Sequence, residues 1–145
     1  MTNPPPSSLR GNKILTVLLL LFFTAVLVRT AWVGDDAYIT LRTVHNVTSG
    51  YGLSGNVDER VQSYTHPLWM VMMIPVYALS RDAYFTALCL SFAVTAATLL
   101  LIARERHAPL MLVLLLFSKA FMDYSASGLE NPATHLLLLL FTLLL

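Results

Sequence analysis

Long apolar runs separated by a single long polar stretch set the elements of this chain. Residues 14–33 are interrupted only by Arg29, and about twenty helical residues at 1.5 Å each cross a hydrocarbon core of about 30 Å. They predict a first transmembrane helix. Arg29 lies near its end, where a long stem lets the guanidinium reach the interface. Residues 67–80 are uncharged but short, and predict a second span only if part of 61–66 is embedded or the bilayer is locally thin. Residues 83–103 have full spanning length and end abruptly at "RERH"; 108–118 are shorter again, and 133–145 form a fresh apolar run without a terminator. The fold class expected is all-α and integral to the membrane, with about four to five hydrophobic helices.

The polar stretch, residues 34–66, is expected to be one loop on the far side of the first span. Within it Tyr38, Leu41, Val44 and Val47 recur every three positions, with Arg42 and His45 beside them. That pattern predicts an amphipathic helix, lying at the headgroup boundary or packed on the rest of its own loop. "SGYGLSGN" supplies a helix stop and tight turns. Tyr64, Thr65, His66 and Trp69 gather where the next apolar run begins, and Tyr64 and Trp69 fit an aromatic belt. His66, preceding Pro67, is biased to an extended backbone. Asn46, Val47 and Thr48 form an N-glycosylation acceptor pattern inside the expected helix.

Composition agrees with the pattern: 57% of residues are hydrophobic and 12% charged, against about 25% charged in soluble domains. The net charge of +1 offers no basic surface for nucleic acid, which is set aside as a partner; the lipid bilayer takes that place. Residues 1–13, with three consecutive prolines, predict a disordered cytoplasmic tail. No small-x-small site follows the first apolar run, so an uncleaved anchor is favoured over a signal peptide. Arg10 and Lys13 precede the first span and no acid occurs before Asp35, which places the N-terminus in the cytoplasm and residues 34–66 outside. Alternation then puts residues 104–107 outside, against their positive bias. A short run that fails to cross, 67–80 or 108–122, would change the parity, and the sequence leaves the side of residues 104–132 open. Cys89 has no intrachain partner and reads as a small hydrophobe.

The candidate chemistry centres on Asp35 and Asp36. Either carboxylate at the start of the amphipathic helix would accept free backbone N–H groups and be favoured by the dipole. Capping accounts for one. Two adjacent acids at an interface favour a proton on one of them, which makes the other role that of a proton acceptor.

"DDAYITLRTVHNVTSGYGLSGNVDERVQSYTHPLW" and "SASGLENP" resemble segments of polyprenyl-phosphate-dependent glycosyltransferases of the GT-C type, arabinofuranosyltransferase-like bacterial membrane enzymes in particular. The likeness runs over residues 33–132 and lies in the order of the motifs: Asp-Asp-Ala-aromatic-Ile, Gly-x-Gly, Glu-Arg-Val, Tyr-Thr-x-Pro-Leu-Trp, then Ser-Gly-Leu-Glu. Gln62 and Ser63 stand where the family often has Glu-Gly, and Asn131 replaces a threonine. The resemblance implies transfer of a sugar from a polyprenyl-phosphate donor to an extracytoplasmic glycan or lipid acceptor. Asp35 or Asp36 would then be the general base, Arg42, His45, Arg60 or His66 would neutralise the departing phosphate, and Tyr64 and Glu130 would line the site. It implies no nucleotide and leaves a divalent metal open, as no metal-ligand spacing is present. Such enzymes have many more spans, so the expectation is an N-terminal portion. The rival from another class is a non-enzymatic membrane protein, a transporter fragment or assembly subunit, whose loop serves docking or topology.

Overall fold

The computed structural model describes residues 6–59 and 63–145, with side chains from residue 11 onward. The described residues form seven helices and no strand beyond one bridge between Asn56 and Glu59: α1 Pro6–Thr30, α2 Asp35–Thr48, α3 Pro67–Ser80, α4 Ala83–Ile102, α5 Ala108–Phe117, α6 Lys119–Tyr124 and α7 Asn131–Leu144. α1 begins at Pro6, inside the stretch that composition assigns to a disordered tail; a proline at the first helical position loses no needed N–H.

Two helices, α1 over Gly11–Thr30 and α4, are long and apolar enough to cross a membrane. They differ in surroundings. α4 is central: its Ala87, Leu90 and Val94 join a core with Leu41 and Val44 of α2, Trp69, Met70, Met73 and Tyr77 of α3, and Ala133 of α7. Its lower part, Leu99 and Ile102, joins a second core with Phe23 and Leu27 of α1, Leu112 of α5, and Phe121 and Met122 of α6. α1 instead leaves Leu18, Leu21, Phe22 and Val28 exposed, a continuous apolar face of the kind that lipid covers.

The ends of these helices fix how the chain runs. Lys13 and Thr16 of α1 share a cleft with residues 103–107, which follow α4. At their other ends, Val33 after α1 and Ala87 in the first turns of α4 both press on Gly128. Residues 34–86 therefore leave and return at the same end, and α3 does not run from one end to the other. Its start is tied to Gly128 by the Trp69 indole, and its end to α4 by the hydroxyls of Ser80 and Thr86, 2.7 Å apart. At 14 residues α3 is about 21 Å long, and the run expected to be a second span, 67–80, is a helix that stays at the α2 end. α5 and α6, separated at extended Ser118, then climb from the Lys13 end back to Gly128. Residues 104–107 thus lie beside Lys13, at the same end as the start of α1.

α2 matches its expected extent but not its expected buried face. Ala37, Leu41 and Val44 are buried, whereas Tyr38 is exposed. Steps of three residues rotate by about 300°, so a strict three-residue stripe drifts around the helix, while i, i+4, i+7 stays on one face. That face packs on α3 and α4, so the helix covers the protein's own core. Asn46 is buried with its amide donating to the carbonyls of Ser54 and Gly55, which pins the turn after α2 and encloses the acceptor pattern's asparagine.

Candidate functional site

Asp36 lines a cleft of about 130 Å3 with Thr40, Thr65, His66, Trp69, Gly128, Leu129 and Glu130. Three segments build it. The first is the entry to α2, where Gly34 is the residue before the helix and its N–H donates to the Ser127 carbonyl at 2.9 Å. That bond makes Gly34 the cap, so Asp35 and Asp36 fall inside the first turn and neither caps through its side chain. The expected capping role is thus corrected, although both carboxylates still sit at the favourable end of the helix dipole. Asp36 and Thr40, four residues apart, share the face that looks into the cleft. Both aspartates are exposed, and Asp35 does not line the cleft.

The second segment is the approach to α3. His66 holds extended backbone (φ −121°, ψ 84°), as a residue before proline should, and its Nε2 lies 3.0 Å from Glu130 Oε1. Trp69, expected in an aromatic belt, is buried instead, and its Nε1 donates to the Gly128 carbonyl at 2.9 Å. The third segment, residues 125–130, turns at Gly128 with φ +77°, where an added Cβ would stand 3.0 Å from Ala87 and 3.1 Å from Ala37. Only glycine accepts both that dihedral and that closeness. Ser127 helps to hold the turn, accepting from the Leu129 N–H at 3.3 Å.

The remaining predicted site residues are distributed elsewhere. Arg42 lines a separate cleft of about 430 Å3 with Tyr38, Asn56, Glu59 and Ser63. His45 Nδ1 is 2.8 Å from the Tyr77 hydroxyl on α3. Tyr64 is half-buried against the upper core. Arg60 lies outside the described residues. The four residues expected on the phosphate therefore do not converge among the described ones, and His66 alone of them reaches the Asp36 cleft. Thr65 was named from sequence without a site role, and Thr40 was not named; the i+4 spacing from Asp36 was the signal for Thr40. Among the described residues no group of three His, Cys, Asp or Glu side chains is arranged to hold a metal.

Below the polar cleft a second hollow of about 210 Å3 shares Thr65, His66, Trp69 and Glu130 with it and continues between Leu68 of α3 and Ala133 and Leu137 of α7. A polar mouth thus opens into an apolar groove.

Over 113 residues, covering 68% of this chain, the sequence is 36% identical to the terminal β-(1→2)-arabinofuranosyltransferase of Corynebacterium glutamicum. The chain is related to a glycosyltransferase. It spans 16% of that relative's length. No family model matches the chain, and no solved structure does.

Proposed function

We propose that this chain forms the donor-side part of a membrane glycosyltransferase, in which Asp36 is the general base and the pair of His66 and Glu130 handles the departing phosphate. The observation that carries the reading is the meeting of Asp36, His66 and Glu130, from segments up to 94 residues apart in the sequence, on one cleft above an apolar groove. A polyprenyl-phosphate sugar has the matching form: a charged head on an apolar tail.

In the reaction the acceptor hydroxyl oxygen attacks the anomeric carbon and its proton passes to the Asp36 carboxylate. The bond from that carbon to the phosphate oxygen breaks, and its electron pair leaves with the polyprenyl phosphate. His66, held by Glu130, donates a hydrogen bond to the phosphate as charge develops there. Attack from the face opposite the leaving phosphate inverts the anomeric carbon. In a bilayer α1, α4, the α5 and α6 pair, and α7 traverse, and the cleft faces the extracytoplasmic side, because Lys13 and residues 104–107 share the other end.

The test is transfer from a synthetic polyprenyl-phosphoryl sugar by the full-length protein. Asp36→Asn is expected to lower kcat by about 10²- to 10⁴-fold, the range for loss of a positioned base. Asp35→Asn should remain near the parent rate. Full activity in Asp36→Asn would refute the assignment.

A further inference from the structure

At the end opposite the Asp36 cleft, residues distant in sequence line a hollow of about 600 Å3. Lys13 approaches from α1; Arg104, Arg106 and His107 approach from the turn between α4 and α5; Glu105 is the one acid on the lining. Neither Lys13, Arg104 nor Arg106 belongs to either ion pair found among the described residues, which join His66 to Glu130 and Lys119 to Asp123. The rest of the wall mixes the polar Asn12 and Thr16 with Ala103 and the apolar Val17 and Leu20 on α1 and Pro109 on α5.

We infer that this hollow is a binding site for the phosphate headgroup of an anionic bilayer lipid, with the lipid's first carbons against Val17 and Leu20. Lys13, Arg104 and Arg106 against the single acid Glu105 leave the lining net positive, and a phosphate between the cations offsets their mutual repulsion and gains charge-assisted hydrogen bonds. Basic hollows between helices at the cytoplasmic level are suited to such heads. The cations come from the ends of the two helices long enough to span, which is where headgroups lie. An ordinary surface stripe of lysine and arginine would lack both the enclosure and the apolar floor. The occupant would also join α1 to the turn after α4, two segments that the lower core otherwise links through side-chain packing. The inference rests on the chain lying in a bilayer, and not on sugar transfer.

The deciding measurement is native mass spectrometry of the full-length protein released from mixed phosphatidylcholine and phosphatidylglycerol bilayers. Phosphatidylglycerol is expected to be retained preferentially. Replacing Arg104 and Arg106 together by glutamine should reduce that retention by about fivefold per charge removed, whereas Lys119→Gln, at the other end, should leave it unchanged. If the double variant fails to insert, Arg106→Gln alone decides. Equal retention of the two lipids by the parent, or undiminished retention by the arginine variants, would overturn the site. Displacement by soluble glycerol phosphate at matched concentration would overturn the assignment to a lipid. Asp36→Asn should bind phosphatidylglycerol as the parent does, so failure of the catalytic reading and failure of this one are told apart.

Discussion

In the proposed site His66 and Glu130 come next after Asp36, because a carboxylate at 3.0 Å orients an imidazole that would otherwise rotate freely at a half-exposed position. Glu130→Gln keeps the shape but removes the charge that holds His66. It should lower kcat by about 10²-fold while leaving KM nearly unchanged, the low end of the 10²- to 10⁴-fold reach of a positioned proton-transfer group; steady-state kinetics on the same donor check it. Asp36, His66 and Glu130 could each be singled out from sequence. Their meeting could not, because it depends on bonds between segments before α4 and after α6. Arg42 and His45 were separable in principle: six and nine residues after Asp36, they lie about 240° and 180° around an ideal helix from it. Motif order brought them into the candidate set, and helix phase takes them out of the cleft.

The short elements decide where the site lies. α1, α2 and α4 were legible as apolar or amphipathic runs, although α1 starts earlier than its apolar run, and α4 starts on a cap the sequence reading did not name, Asp82 accepting from the Phe85 N–H at 2.9 Å. α3 was not legible as what it is. A 14-residue uncharged run has the same composition whether it dips into a bilayer or lies along one end of a bundle, and the difference is made by Trp69 on Gly128 and Ser80 on Thr86. Trp69→Phe keeps the ring and removes the indole donor, and should cost about 1 kcal/mol, or up to 3 kcal/mol with the Gly128 carbonyl left unpaired. Gly128→Ala meets both a positive φ and three side chains, Ala87, Ala37 and Val33, closer than ordinary contact, so a loss of about 2 kcal/mol or more is expected. Unfolding of each variant in detergent against the parent measures both, and a Gly128→Ala protein as stable as the parent would contradict the packing described.

For the whole molecule, the path of the chain yields a labelling pattern. With Cys89 replaced by alanine, a cysteine at Asn56 should react with a membrane-impermeant maleimide in intact cells. A cysteine at Arg106 should react only after the membrane is opened. The reverse result at position 106 would mean that α3 crosses after all. The positive bias of residues 104–107 was visible in the sequence and pointed to this arrangement; apolar run counting pointed the other way, because it gives every run one crossing.

The contacts that Ser127, Gly128 and Glu130 make with Gly34, Trp69 and His66 also impose an order in time. When a ribosome has delivered Asp36 and His66, the cleft still lacks one wall, and about sixty further residues, α5 and α6 among them, must be made before Glu130 arrives. Under the proposed function, a chain still being synthesised up to that point has the acid but nothing to hold a donor against it, so competence would begin with the arrival of that wall and not with the emergence of the aspartates.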